Sequence, residues 1–278
     1  VNERRALALA AVAVVGGVAL WGMFSTRAGS QALQGGYSPP PASVRPAPVP
    51  KGYRPVFDAR FSGSALDTSV WATCYPWAKP RVGCSNFANT EYQWYLSSQD
   101  QVSGGTLRLV AQHVPTAGRD AHNAPRAYDC RSGMVTTYPS FRFEYGFVQV
   151  VARVPNGADL WSALWLAAAN LKWPPEIDIL EQWANRSGLY FHPAGGRRGS
   201  SFPATADLSV GWHIFSLLWT PSQLTWYIDG QPEWTVREDI PHQPMYFIAN
   251  VAEYRSPHDV SAPCTGTMFI RSVKVWQA

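Results

Sequence analysis

The sequence predicts an all-β fold, an antiparallel sandwich or barrel, on three observations. Beyond residue 55 the chain reads as many short strand-like runs, it has no long amphipathic helix, and Gly and Pro punctuate the spaces between runs. Short strands closely spaced and separated by turn residues are the pattern of an antiparallel β architecture. The runs fall at 106–111, 146–154, 160–168, 176–183, 212–219, 224–228, 245–251 and 267–276. Asp229-Gly230 marks a tight hairpin turn, and Gly104-Gly105 marks another reversal. No internal repeat is visible, and residues 55–278 fit the size of a single β-sandwich.

Ahead of that part the chain has a different character. Arg4 and Arg5 precede an uncharged run from Ala6 to Phe24, and Arg27 follows it. A secretory signal has an apolar core of about 7–15 residues, and a spanning helix needs about 20. The run lies between these and favours an uncleaved anchor over residues 1–27, although Ser30-Gln31-Ala32 offers a small-x-small cleavage site. Either way the positive flank stays inside and the rest is exported. Residues 28–54 form a linker rich in Pro, Ala, Ser and Gly, with Pro39-Pro40-Pro41, Pro46, Pro48 and Pro50. This composition makes a semi-rigid extended spacer, able to hold a domain off a membrane or through a wall layer.

The net charge of +4 owes much to Arg4, Arg5, Arg27, Arg45, Lys51 and Arg54 in the first two segments. The globular part has no run of basic residues interleaved with stacking aromatics, only the pair Arg197-Arg198 in a Gly-rich loop, so no nucleic acid is expected as a partner. Four cysteines, Cys74, Cys84, Cys130 and Cys264, all lie in the exported part and read as two disulfides. Three pairings are open. The short loop between Cys74 and Cys84 favours closing on itself, which leaves Cys130 to join Cys264. With 13 tryptophans and 13% aromatic residues, the chain has more aromatic surface than a core of this size requires, and a sugar-binding cleft is a destination for the surplus.

The chemistry concentrates in Glu176-Ile177-Asp178-Ile179-Leu180-Glu181, three carboxylates within an apolar, β-branched run. Crowded carboxylates raise each other's pKa, so that one holds its proton while another stays ionised, as general-acid and nucleophile chemistry needs. On a strand, Glu176 and Asp178 point together and Glu181 points away. A β-bulge at Ile179 or Leu180 would restore the phase and return all three acids to one face. The bland alternative is an acidic strand edge that discourages edge pairing, but the aliphatic residues between the acids argue for a strand with one buried face.

This motif resembles that of glycoside hydrolase family 16, in its bulged form. The resemblance extends over 55–278, through Phe57-Asp58, Leu66-Asp67 and Trp71, Ser132-Gly133-Met134, Tyr145-Gly146-Phe147, the run 160–166, Trp226 to Gly230 and the closing Ile270 to Trp276. Gln149, Ser162 and Ala184 depart from the residues common there, an acid, a Pro and a Gly. The resemblance implies a jelly roll of two curved sheets with a catalytic cleft on the concave face. It implies Glu176 as nucleophile, Asp178 as its electrostatic assistant and Glu181 as general acid and base, with retention of configuration. It also implies a β-linked glycan as substrate, with 1,3 or mixed 1,3-1,4 glucose linkages, a β-galactan or an exopolysaccharide.

Cleft walls are expected from strands beside the acidic one. Trp161 and Trp165 share parity, and Trp183 shares parity with Glu181 beyond the bulge. By resemblance His192 and Asn250 lie at or near the cleft, and Asn86 and Glu91 fall in a segment like an early cleft-lining strand. The chemistry requires no cofactor or metal, and no Asp-rich loop calls for calcium. A monomer is expected. A transglycosylase would use the same acids and pass the glycosyl group to a sugar acceptor. A non-catalytic carbohydrate-binding module would have no use for a mutually repelling triad.

Overall fold

Alternation along Gly146–Arg153 buries Val148, Val150 and Ala152 completely on one side and leaves Gln149, Val151 and Arg153 partly exposed on the other. The same period-two logic builds the rest of the domain. The computed structural model describes residues 44–78, 83–86, 89, 91–183, 186–195, 199–204, 208–254 and 264–278. The apolar run 6–24, the linker up to residue 43, Ala184 and Arg197-Arg198 lie outside the described residues.

The described strands are β1 (Arg54–Ala59), β2 (Gln93–Tyr95), β3 (Asp100–Ser103), β4 (Thr106–Ala111), β5 (Thr116–Arg119) and β6 (Pro125–Tyr128). They continue as β7 (Cys130–Ser132), β8 (Met134–Thr136), β9 (Gly146–Arg153), β10 (Leu160–Ala168), β11 (Glu176–Trp183) and β12 (Arg186–His192). The last six are β13 (Ser200–Pro203), β14 (His213–Thr220), β15 (Gln223–Ile228), β16 (Gln231–Val236), β17 (Met245–Glu253) and β18 (Gly266–Gln277). An eight-stranded sheet runs β16-β15-β14-β9-β18-β4-β3, with β1 also paired to β18, and a six-stranded sheet runs β13-β12-β11-β10-β17-β8. All pairs in both sheets are antiparallel. The predicted sandwich is the observed architecture.

Two reversals predicted from sequence are two-residue hairpin turns. Ser103 pairs with Thr106 across Gly104-Gly105, at φ of 57° and 70°, and Ile228 pairs with Gln231 across Asp229-Gly230, at 50° and 84°. The main core lies between the sheets. Val148, Val150, Phe215, Leu217, Trp219, Trp226 and Ile270 meet Leu164, Leu166, Ile177, Leu180, Phe191 and Phe247 there.

The six-stranded sheet is covered on its other face as well, by a second cluster of Tyr75, Cys84, Tyr95, Met134, Ala163, Trp165, Ala167, Tyr246 and Ile248. Burial on both faces explains why β17 has no exposed position.

The disulfides are Cys74–Cys84 and Cys130–Cys264, the pairing that the short first loop favours. The first ties the loop carrying Tyr75 to the residue that bridges Tyr95, and the second ties β7 to the segment just before β18. At the end of the Pro-rich run Ala47 is 2% exposed, and the Arg45 carbonyl lies so close to Gly230 that an added Cβ there would sit 2.8 Å from it. Among the described residues no helix is long and apolar enough to cross a membrane.

Candidate active site

The register of β11 differs on its two sides, and the difference locates the bulge. Against β12, Asp178 pairs with Tyr190 and Glu181 with Gly188, so three steps on β11 match two on its neighbour. Against β10, Leu180 pairs with Leu164 and Asp178 with Trp165, which leaves Ile179 as the extra residue. Ile179 and Leu180 both enter the core between the sheets, at 1% and 0% exposure. Glu176, Asp178, Glu181 and Trp183 therefore all face the other way, into a cleft of about 1090 Å³. A regular strand with this sequence would have sent Glu181 into the core.

Cross-strand rows give the cleft floor its shape. Glu176 lies between Ala167 and His192, Asp178 between Trp165 and Tyr190, and Glu181 between Ala163 and Gly188. Beyond β10 the rows continue to Tyr246, Ile248 and Asn250 on β17. Each glutamate is thus flanked on β10 by an alanine, which leaves space above the floor, while Trp165 rises between the two alanines.

Burial dominates the electrostatics. It pushes Glu176 up to about 8, helped by repulsion from Glu181, and holds Asp178 well above the carboxylate range, with repulsion from Glu176 and Glu181 adding to it. Glu181 is pushed up to about 7 by burial, opposed by the Trp161 indole N–H, which donates to its Oε1 at 2.8 Å. The cluster titrates as a unit and retains protons near neutral pH. Burial also lowers His192, whose Nε2 is 3.6 Å from Glu176 Oε1 and 3.8 Å from Asp178 Oδ2. Its ring stands 5.7 Å from that of Trp173.

Two groups among the described residues are spaced to hold a metal ion. One is Cys130, Glu253 and Cys264, whose thiols are joined in the disulfide; the other is Glu176, Asp178 and His192, with ligand atoms within 4.8 Å of one another. The second is the acid cluster itself.

Residues 88–258 match the pattern of the glycosyl hydrolases family 16. The chain belongs to this family. Endo-1,3-1,4-beta-glycanase ExsH of Rhizobium meliloti (strain 1021) is 31% identical over 202 residues, 66% of this chain and 42% of its own length. The chain thus spans about two fifths of the length of the curated relatives it matches first, at 42% for each. Among solved structures, SCLam, a non-specific endo-beta-1,3(4)-glucanase of family GH16, is similar with a TM-score of 0.69 at 23% identity, over 84% of this chain and 94% of that one. The laminarinase catalytic domain from Thermotoga maritima MSB8 gives 0.64 at 24%, over 81% and 98%. At these identities the likeness is one of fold, and it agrees with the jelly roll implied by the motif.

In this family 16 domain the cleft brings together every site residue predicted from sequence: Glu176, Asp178 and Glu181, Trp161, Trp165 and Trp183, His192, Asn250 and Asn86 all line it. Trp165 Nε1–H donates to Asn250 Oδ1 at 2.8 Å, so these two act together. Several lining residues escaped sequence reasoning. Tyr246 shares parity with Asn250 on β17, and Tyr190 shares parity with His192 on β12, so both were open to the same argument. Trp77 and Trp173 come from loops, 40% and 66% exposed, where no period announces a facing direction. Trp77 is stacked on Tyr75 with ring centroids 4.6 Å apart.

Proposed function

We propose that this family 16 domain is the catalytic part of an exported, endo-acting hydrolase that cleaves a β-linked polysaccharide with retention of configuration, a glucan of 1,3 or mixed 1,3-1,4 linkage being the first substrate to try. The observation that carries the reading is the bulge at Ile179, which turns three carboxyl groups onto one wall of an aromatic-lined cleft. The names of the relatives, an endo-1,3-1,4-beta-glycanase and an endo-beta-1,3(4)-glucanase, support the glucan. The apolar run before Arg27, the Pro-rich spacer and the two disulfides support export, with a membrane tether if the run is retained.

In the mechanism Glu176 attacks the anomeric carbon as the bond to the leaving oxygen breaks, and Glu181 gives that oxygen its proton. Water then attacks the same carbon, Glu181 takes a proton from it, and the ester to Glu176 breaks. Attack needs Glu176 ionised, whereas burial pushes it up to about 8, above Glu181, so the reacting form is the one in which the coupled cluster keeps its proton on Glu181 and not on Glu176. Once ionised, a desolvated Glu176 is well matched to the positive charge of an oxocarbenium-like transition state. Asp178, which lines the same cleft and is raised by burial and by the charges of Glu176 and Glu181, assists Glu176 electrostatically in this reading. Glu181, near 7, is tuned to give and take a proton at neutral pH.

Retention needs the two catalytic carboxyl groups about 5–5.5 Å apart. Glu176 and Glu181 oppose Ala167 and Ala163, four residues apart on β10, about 13 Å at about 3.3 Å per residue, so the side chains must lean together. Anomer-resolved NMR of the first product tests this, and initial release of the inverted anomer would overturn it. The activity is tested by product analysis on laminarin, lichenan, agarose and an acidic exopolysaccharide, with disulfide-intact protein and Glu176→Ala as control. Short oligosaccharides absent from the control are expected. Cleavage of no member by folded protein would overturn the glucan reading, and products longer than the substrate would replace hydrolysis with transfer.

A further inference from the structure

Glu91, just before β2, is 5% exposed and has no part in the mechanism above. Its carboxylate collects donors from both sides: Tyr75 O–H at 3.1 Å on Oε1, with Tyr95 O–H at 2.9 Å and Gln93 Nε2–H at 2.6 Å on Oε2. These three donors favour its ionised form against the burial that pushes it up to about 7. The Tyr95 oxygen accepts Asn250 Nδ2–H at 3.0 Å, and Asn250 Oδ1 accepts the Trp165 indole N–H at 2.8 Å. Every donor in this chain points towards Glu91.

The indole end fixes that direction as far as Tyr95, and Glu91 completes it in its ionised form. An indole N–H only donates and an ionised carboxylate only accepts. Asn250 must therefore turn its oxygen to Trp165 and its NH₂ to Tyr95, whose hydroxyl proton is left for Glu91. The backbone frame is fixed independently, since Cys84 and Tyr95 exchange amide bonds at 3.2 and 2.7 Å and Cys84 is bridged to Cys74, the neighbour of Tyr75. What the chain holds is the indole of Trp165, which opposes Asp178 and stands between the rows of Glu176 and Glu181.

We propose that Glu91 is a positioning residue of this site: acting through Tyr95 and Asn250, its carboxylate fixes the Trp165 indole between the two glutamates and so sets the height at which a sugar ring rests on the cleft floor. The proposal rests on the hydrolase reading above for its catalytic consequence. Misplacing a reacting sugar by about 1 Å lowers a rate by about 100-fold, whereas the many other contacts of a polysaccharide keep it bound.

The test uses Glu91→Leu, Glu91→Gln and Tyr95→Phe in the full chain. Glu91→Leu is expected to lower kcat at least tenfold with KM within threefold, and Glu91→Gln, which keeps an oxygen for Tyr95 and Gln93, to recover most of it. Tyr95→Phe cuts the chain one link later, and added to Glu91→Leu it should cause no further loss. The indole N–H resonance of Trp165, assigned by its disappearance in Trp165→Phe, should move in both Glu91→Leu and Tyr95→Phe. Unchanged kcat, a loss confined to KM, multiplying losses or an unmoved indole resonance would overturn the proposal. If Glu91→Leu does not fold, Tyr95→Phe alone decides through the same two readings. If the wild type cleaves nothing, the hydrolase reading fails, and the indole resonance still decides whether Glu91 holds Trp165.

Discussion

The indole N–H of Trp226, on the eight-stranded sheet, donates at 2.8 Å to the backbone carbonyl of Asp178 on the six-stranded sheet. That carbonyl adjoins Ile179, where the bulge interrupts the β-ladder, so a bond from across the core satisfies a group that the ladder leaves irregular. The two sheets are joined where the acidic strand departs from regular geometry.

Trp226→Phe removes this donor and leaves the carbonyl buried. An unsatisfied buried polar group costs about 1–3 kcal/mol, so chemical denaturation should show a loss of that size, and kcat should fall because Asp178 and Glu181 flank the bulge. Unchanged stability would mean that the carbonyl is satisfied by another donor.

Stability should fall as pH rises towards alkaline values. Glu176 moves from an ordinary 4.5 to about 8 in the folded chain, so between these values the folded state binds more protons than the unfolded one and loses stability with rising pH. Glu176→Gln removes this liability. Its gain in Tm over the wild type should be absent below about pH 4.5, grow through the window and be complete above about pH 8. A gain independent of pH would reject the titration of Glu176 as its source.

Trp161→Phe deletes the N–H that favours the ionised form of Glu181. The alkaline limb of the kcat/KM profile, which in the proposed mechanism reports the proton on Glu181, should move to higher pH. KM should rise as well through lost stacking area. An alkaline limb that stays in place would assign it to another group.

The disulfides should separate stability from activity. In the chain-entropy model, loops with sequence separations of 10 and 134 contribute about 3 and about 5 kcal/mol. Replacing Cys130 and Cys264 with Ser should lower Tm more than replacing Cys74 and Cys84. The Cys74–Cys84 bridge frames Tyr75, which lines the cleft, and the buried Tyr95, so its loss should lower kcat at temperatures where the protein is still folded. Equal effects of the two replacements on both readouts would deny the Cys74–Cys84 bridge its local role.

Legibility varied with the range of the forces involved. The eight strand-like runs are all strands, because period-two burial is written into residues such as Val148, Val150 and Ala152. Gly104-Gly105 and Asp229-Gly230 disclosed their turns through the positive φ that Gly tolerates and Asp visits. The three-residue strands β2, β7 and β8 were not separately legible, since so short a run carries no period. In the site, the acids and the strand-borne tryptophans followed from parity, while Trp77 and Trp173 sit on loops whose course is set by contacts distant in sequence.

By itself the sequence determined the β class, the two hairpin turns and the crowding of three acids on one strand, because each depends on neighbours a few residues apart. Tertiary structure decided that Ile179 is the extra residue, that Tyr95, Asn250 and Trp165 form one chain ending on Glu91, and that Trp226 reaches Asp178. Those contacts join residues up to 155 apart in sequence. Pairing register and hydrogen bonding between strands supply them, and no local pattern encodes which strands become neighbours.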